Sequence, residues 1–498
     1  MLGRTRFLTF ALAAFCTAVV AGCGGNSNPK PQGGFTAASL SGSYSFLFSG
    51  SDISSGGSAE FFAVAGSLQA DGAGHITSGI LDVNQNDSSG LPQPLTSSAV
   101  TGTYTVRADG RGTAILNSSA GNFNMDFVII SAQRALVTRF ETSATGSGAM
   151  DAQTSSAFST AALAGNFAFN IAGAGSTGGP LATAGSFTTD ASGAITTGIE
   201  DTSDNGAIAQ NVAINSGSIA VDTTGRATLT ITSASGTSSF AAYVVDANHL
   251  KLVETDTSTG TQLAGEAFRQ QGNFSNASLS GPFAFTLAGV DVTNQAAFAA
   301  GGVFSSTGAG TVDTGTMDLA ETNLVPGITD IPIDNTSTYS FTGLRGTLTL
   351  STSQGTFNFA IYPTTSGVQA LEIDSGFVVS GAAFPQSGTF ANASISGTYG
   401  MNFTSGDSGL DTIASLKADG AGNMSGIVDI NQLGAAGFPS AGTSLTANYS
   451  IGADGRGPFN ISTGLGPQSM AVYVVDSSRA LFIEIDGGPT TVGVMEHQ

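Results

Sequence analysis

The sequence contains no tryptophan, two cysteines, three histidines and 14 basic residues among its 498 residues. Both cysteines, Cys16 and Cys23, precede the bulk of the chain, so the remainder must fold without a disulfide. The net charge of −21 and the lack of a basic patch exclude nucleic-acid phosphate as a partner. The missing tryptophan also disfavours an aromatic platform for carbohydrate.

The N-terminus has the layout of a bacterial export signal. Arg4 and Arg6 precede an apolar run over residues 7–20, which is too short for a stable membrane span and typical of a signal peptide. The next residues, Val20-Ala21-Gly22-Cys23, resemble the lipobox of bacterial lipoproteins. That resemblance implies cleavage before Cys23, lipidation of Cys23 (a lipid anchor of the palmitate class) and, with Gly24 following, sorting to the outer membrane.

We therefore expect a signal peptide over 1–22, and an acylated Cys23 with a flexible tether over 23–34. The protein is then exported and anchored to the cell envelope, with the membrane as one partner.

Four copies of one unit follow the tether. The phrase that opens each copy starts at residues 35, 158, 274 and 390, for example FTAASLSGSYSFLFSG and FSNASLSGPFAFTLAG. Each copy also ends with Gly and Gln five residues apart, at 148/153, 265/270, 381/386 and 493/498. The repeat is of domain size rather than solenoid size. The predicted units are 35–154, 155–271, 272–388 and 389–498.

Inside each unit the apolar residues alternate with small residues. In the first unit Tyr44, Phe46 and Phe48 share one face, which indicates a half-buried strand, and turn residues separate seven further strands. We predict an all-β protein with four tandem domains, each an eight-stranded antiparallel meander. An up-and-down barrel is favoured because its last strand pairs with its first, and a β-sandwich is the alternative.

The residues that open the first strand are similar in all four units. They read Gly42-Ser43-Tyr44, Gly165-Asn166-Phe167, Gly281-Pro282-Phe283 and Gly397-Thr398-Tyr399. They resemble the Gly-x-Trp of lipocalin-type barrels, with Tyr or Phe in place of Trp. The resemblance implies a small apolar ligand inside the barrel. The alternative is an interior filled by the barrel's own Phe, Leu and Val side chains.

Arginine is scarce but recurs after the central turn of every unit, and carboxylates recur near the penultimate strand. Arg–carboxylate forks are strong, so we predict one ion pair inside each unit, capping one barrel end. The predicted pairs are Arg111 with Glu141, Arg226 with Glu254 or Asp256, Arg345 with Glu372 or Asp374, and Arg456 with Glu484 or Asp486.

Two further patterns bear on chemistry. His75, His249 and His497 fall at different points of their units, so neither a metal cluster nor a Ser-His dyad recurs. The stretch ADGAGHITSGILD at 70–82 resembles a calcium loop, but its first acidic residue becomes Thr307 in the third unit, which favours a hairpin turn. We predict no catalytic residues, no metal and no cofactor.

The expected function is a non-catalytic surface lipoprotein that binds or adheres to an extracellular glycan or protein, or acts as a structural spacer. The alternative is a carrier of small apolar ligands in lipocalin-like barrels. A secreted glycan hydrolase that uses the paired carboxylates is a distant third.

Overall fold

The computed structural model describes residues 34–498 except 54–58, 87–90, 273, 323 and 465, and most of this part is antiparallel β-sheet. The signal peptide, Cys23 and residues 24–33 lie outside the described residues. Among the described residues, none of the helices is long and apolar enough to cross a membrane.

The first unit is a closed barrel in which each strand pairs with its neighbours in chain order and β8 pairs with β1. Its strands β1–β8 are Ser41–Asp52, Glu60–Asp71, His75–Asn84, Leu95–Val106, Arg111–Ser118, Gly121–Ser131, Arg134–Glu141 and Ala144–Ala152.

The second unit is a closed barrel of the same order. Its strands β9–β16 are Gly165–Ala174, Pro180–Thr189, Ile195–Asp204, Ala207–Val221, Arg226–Ser233, Gly236–Asp246, His249–Glu254 and Gln262–Gln270.

The third unit departs from the predicted closed eight-stranded barrel, because its fourth strand is split and the result is a nine-stranded sheet. Its strands β17–β25 are Ser280–Asp291, Ala296–Thr307, Val312–Glu321, Leu324–Pro332, Thr338–Thr342, Arg345–Thr352, Gly355–Pro363, Val368–Glu372 and Phe377–Pro385. At the split, the Ile333 N–H donates to Gly315 in β19, whereas the Asp334 N–H donates to Ser351 in β22. The chain therefore crosses the gap between the two sheet edges.

The fourth unit is again a closed eight-stranded barrel. Its strands β26–β33 are Ser396–Ser405, Leu410–Asp419, Asn423–Gln432, Ser440–Tyr449, Arg456–Thr463, Gly466–Asp476, Arg479–Glu484 and Thr491–His497. The predicted all-β class and the eight-stranded meander are confirmed, and three of the four units take the barrel form rather than the sandwich.

Each unit has its own core inside the sheet. Tyr44, Phe46 and Phe48 point into the first barrel as the alternation predicts, and the equivalent residues of the other units do the same. A short 3-10 turn precedes the first strand of every unit and closes one barrel end. The apolar residue at the C-terminal end of this turn is buried in each unit, at Leu40, Leu163, Leu279 and Ile395.

The four units form a closed ring, in which the first strands of one unit contact the last strands of the next. β1–β3 contact β14–β16, β9–β11 contact β23–β25, β17 and β18 contact β31–β33, and β26–β28 contact β6–β8. This interface joins two different faces of the unit, so it is heterologous, and it closes after four copies.

The glutamine that ends each unit is part of this ring. Its side-chain amide donates to a backbone carbonyl of the next unit. These bonds run from Gln153 to Val244, Gln270 to Pro363, Gln386 to Val474 and Gln498 to Ile129, over 2.7, 2.9, 2.7 and 2.7 Å. The last of them joins the fourth unit to the first, where no peptide links the two.

Candidate functional site

The recurring arginines form ion pairs between units. Each one donates to a buried aspartate in the third strand of the preceding unit, and the first unit's arginine reaches the fourth unit. The pairs are Arg111–Asp429, Arg226–Asp82, Arg345–Asp201 and Arg456–Asp318, with nitrogen–oxygen distances of 2.7, 2.8, 2.6 and 2.8 Å.

The pairing predicted within each unit is therefore wrong, and strand geometry supplies the reason. Arg226 precedes the core residues Ala227 and Leu229, so it points out of the barrel, whereas Glu254 follows the core residue Leu252 by two and points in. The same opposition separates Arg345 from Glu372 and Arg456 from Glu484. The barrel wall stands between each predicted pair.

The remaining carboxylates of the predicted pairs, one in each unit, cap the backbone. Their oxygens accept hydrogen bonds from backbone N–H groups of β6, β14, β23 and β31. These contacts are Glu141 with Asn124, Asp256 with Ser239, Asp374 with Asn358 and Asp486 with Ser469, at 2.7, 2.6, 2.7 and 2.7 Å. In the first unit Glu141 also accepts from Arg139 at 2.9 Å.

The inward carboxylates of β15, β24 and β32 are buried, which disfavours their charged form. Burial raises the pKa of Glu254 to about 7, although hydrogen bonds from Thr261 and Thr259 lower it. Burial likewise raises the pKa of Glu484 to about 8, and it raises that of Glu372 well above its usual range.

No role was assigned from the sequence to the four aspartates that bind these arginines. Asp82 is fully buried, and it also accepts a hydrogen bond from the Tyr243 hydroxyl of the second unit. Tyr362 and Tyr473 bind Asp201 and Asp318 in the same way, while Val128 occupies the equivalent position of the first unit. The sequence did hold a signal for this pairing, because an arginine and an aspartate each recur at a fixed position of every unit, on different strands.

The ADGAG stretch is a turn, as the hairpin interpretation predicts. Asp71 accepts from the backbone N–H of Ala73 and of His75, at 2.7 and 2.9 Å. These backbone bonds, that from His75 above all, lower the pKa of Asp71 to about 2. Thr307 takes the same capping role in the third unit, where its hydroxyl accepts from Ala309. The carboxylate here serves as a turn cap, which a hydroxyl can replace.

One buried cluster has metal-ligand residue types. Potential ligand atoms of Asp151, His249 and Glu266 lie within 4.8 Å of one another at the junction of the first two units. However, the Lys251 ammonium lies 2.8 Å from a carboxylate oxygen of both acids. Because this ammonium supplies the positive charge between the carboxylates, the cluster is an ion-pair network of the interface.

The candidate functional site is a cavity of about 270 Å³ in the second barrel, at the end opposite its 3-10 turn. Phe169 and Phe240 form a buried apolar floor, Leu181 lies nearer the mouth beside Asp204, and exposed Ser176 and Ser235 lie at the mouth. The remaining lining residues are Ile171, Thr183, Glu200, Thr202, Asp204, Ile231, Ser233, Gly236, Ser238, Thr259, Thr261 and Leu263.

The cavity lies where the second barrel has polar side chains in place of four apolar core residues, one of them a phenylalanine. At equivalent register positions the first barrel buries Val64, Leu81, Val83 and Phe123, where the second has Thr183, Glu200, Thr202 and Ser238. Phe123 contacts Phe48 edge-on at 6.1 Å, and the Arg139 guanidinium lies over its ring, so the first barrel is filled. The voids found in the first and third units are about 20 Å³ each.

The mouth of the cavity is polar and acidic. Glu200 is 8% exposed, and burial raises its pKa above the usual range of a glutamate, against a hydrogen bond with Ser233 that lowers it. The Thr183 and Thr202 hydroxyls lie 3.2 Å apart across β10 and β11. An apolar floor below a ring of hydroxyl groups and carboxylates suits a small ligand with one apolar and one polar end.

The chain matches no protein family model and no curated protein. Among solved structures it is similar to a transferrin-binding protein B from Haemophilus parasuis, with 10% identity, a TM-score of 0.18, and coverage of 73% of this chain and 82% of that one. Another similar structure is the isotype 1 transferrin-binding protein B of serogroup B Neisseria meningitidis (8% identity, TM-score 0.15, coverage 92% and 77%).

A protein of unknown function from Nostoc punctiforme is also similar, with 9% identity and a TM-score of 0.15, over 46% of this chain and all of that one (100%). Likenesses at these TM-scores carry no weight for the function of this chain.

Proposed function

We propose that this chain is a lipid-anchored protein of the cell envelope that binds a small ligand in its second barrel without converting it. The observation that supports it best is the cavity of about 270 Å³, which approaches the volume usual for ligand sites, whereas the voids of the first and third units hold about 20 Å³. Binding in one barrel favours the carrier alternative over multivalent adhesion.

The closed ring bears on the spacer alternative. A spacer gains reach when its units lie end to end, but here the fourth unit contacts the first through Gln498 and through the Arg111–Asp429 pair. Units added to such a ring do not lengthen it. We therefore favour a compact scaffold that presents the mouth of one barrel.

The envelope location rests on the lipobox and is tested separately. Cells that express the full chain are supplied with a labelled palmitate precursor and then fractionated. We expect label on the native chain and its recovery with membranes, and neither for the Cys23→Ser variant. Unlabelled native chain in the soluble fraction would contradict the anchor.

Ligand binding is tested by native mass spectrometry of the chain purified from its host. We expect a bound mass that is lost in the double variant Glu200→Leu/Ser238→Phe, which restores two large residues of the first barrel's core. The matched control, Ser462→Phe, places the same ring on an exposed strand residue of the fourth unit. A bound mass that survives the filling variant would place the ligand elsewhere, and recovery of a chemically altered ligand would contradict binding without conversion.

A further inference from the structure

The charged groups of the cavity are of one sign. Glu200 and Asp204 are its ionisable lining residues, and none of the described residues that line it is a lysine or an arginine. Glu200 occupies a position where the other three units bury Leu81, Met317 and Val428 in their cores. A carboxylate has thus replaced a core residue in the barrel that holds the cavity of about 270 Å³.

Among the residues that the structure describes, none that lines the cavity offers Glu200 a positive charge. Its neighbour on the strand, Asp201, points out of the barrel to Arg345, so that arginine's charge is already paired on the far side of the wall. Glu254 lies behind Thr259 and Thr261, which bind it and also line the cavity. A buried carboxylate without a counter-charge is unfavourable, and a cation brought by the ligand removes that penalty.

We propose that the ligand of the second barrel carries an ammonium group, with Glu200 as its anionic partner and an apolar part against Phe169, Ile231 and Phe240. This inference rests on the proposed ligand-binding function and specifies its ligand class. An anionic head group would be repelled by Glu200 and Asp204, and a neutral one would gain only hydroxyl hydrogen bonds. Attraction between opposite charges is strong where water is excluded.

The test uses three probes of the same length, hexylammonium, hexanol and hexanoate, titrated into the chain from residue 24 onward, which retains every described residue. Isothermal titration calorimetry at pH 8 gives each affinity. Glu200→Gln is the isosteric test variant. Glu372→Gln is the matched control, because it makes the same change at a buried carboxylate of the third unit, outside this cavity.

We expect hexylammonium to bind at least tenfold more tightly than hexanol, with hexanoate weaker than both. Glu200→Gln should remove the preference of the ammonium over the alcohol, and Glu372→Gln should retain it. Equal affinities for ammonium and alcohol, or a preference that survives Glu200→Gln, would overturn the cationic class while leaving a neutral ligand in the cavity. Binding of hexanoate alone, or of no probe at all, would also overturn it. The bound-mass experiment then decides separately whether the cavity holds any ligand.

Discussion

The aspartate that joins the second and third units offers the sharpest test of the ring. Asp201 is fully buried and accepts two hydrogen bonds from Arg345, at 2.6 and 2.9 Å. It also accepts from the Tyr362 hydroxyl and from the backbone N–H of Asn211 at 3.0 Å. Its replacement by alanine leaves a guanidinium, a phenol and a backbone N–H without their acceptor.

The magnitude follows from what remains buried. The Arg345 side chain is 10% exposed, so water cannot replace the lost carboxylate. Removal of one partner of a buried ion pair typically costs about 3–5 kcal/mol. We expect Asp201→Ala to lower the free energy of unfolding by that amount, about 4 kcal/mol. The double variant Asp201→Ala/Arg345→Ala should cost less than the two single losses added together, because each single change already removes the same pair.

The assay is a double-mutant cycle in which urea unfolding is monitored by far-ultraviolet circular dichroism. Tryptophan fluorescence cannot serve here because the chain has no tryptophan. We expect a coupling free energy of about 2 kcal/mol or more between Asp201 and Arg345. The matched control is the cycle of Arg345 with Glu372, the pair that sequence reasoning favoured. Its coupling should lie within about 0.5 kcal/mol of zero, because the two side chains lie on opposite faces of the wall.

A coupling below about 0.5 kcal/mol between Asp201 and Arg345 would refute the inter-unit pair. Strong coupling in the control cycle would restore the pairing within one unit.

Three further predictions concern pH, ring closure and the junction of the fourth and first units. The raised pKa of Glu254, about 7 in the fold against 4.5 unfolded, means that its contribution is fully present below about pH 4.5 and is lost as the pH rises through 7. Because Glu372 and Glu484 also have raised pKa values, the quantity to measure is the difference in free energy of unfolding between the native chain and Glu254→Gln. We expect that difference to change by about 3 kcal/mol between pH 4.5 and pH 7 in urea unfolding, and a difference that does not vary with pH would contradict this. Deletion of 389–498 exposes two complementary faces, so the truncated chain should form head-to-tail oligomers in sedimentation experiments while the full chain does not, and a monomeric truncation would count against the heterologous interface. Val128→Tyr should destabilise by about 1–3 kcal/mol through overpacking against Ile413, and Ile413→Ala should recover at least half of that in the double variant, measured by thermal unfolding; additive losses would contradict their contact.

The fold was largely accessible from sequence because its information is local. The alternation of Tyr44, Phe46 and Phe48 defines an inner face, and turn residues define where strands end. The split fourth strand of the third unit was not predicted, since it depends on how residues 333–337 cross between two sheet edges. Hydrophobic periodicity does not encode such a crossing.

The partners of the arginines could not be predicted from composition. The alternation of inward and outward residues along each strand could, however, have excluded the pairs within one unit. Arg226 lies next to the inward Ala227, and Glu254 lies in phase with the inward Leu252, so their opposite orientation follows from period two alone. That Arg226 binds Asp82 of another unit depends on the packing of whole barrels, which a single repeat does not specify.

The candidate site was visible in the sequence only as a substitution. Alignment of SGILD in the first unit with TGIED in the second places Glu200 opposite Leu81. Its meaning depends on three other positions, Thr183, Thr202 and Ser238, which lie on different strands and become neighbours only in the closed barrel. Together these four polar side chains line a cavity at the place where the first barrel has apolar core residues.

The contact between the first and fourth units is specified by the residues on the two surfaces and does not depend on a peptide connection between these units. At three junctions a tyrosine of one unit meets a small residue of the preceding one: Tyr243 and Tyr362 pack in one cluster with Ala65 and Ala184, and Tyr473 lies against Gly301.

At the fourth junction both sizes change, since Val128 replaces the tyrosine and Ile413 replaces the small residue, and the two pack together. A large-for-small exchange on one side matched by a small-for-large exchange on the other conserves the volume of the contact. Val128 and Ile413 belong to units that no peptide joins, so their matched sizes have a physical reason only if the first and fourth units meet in the folded protein.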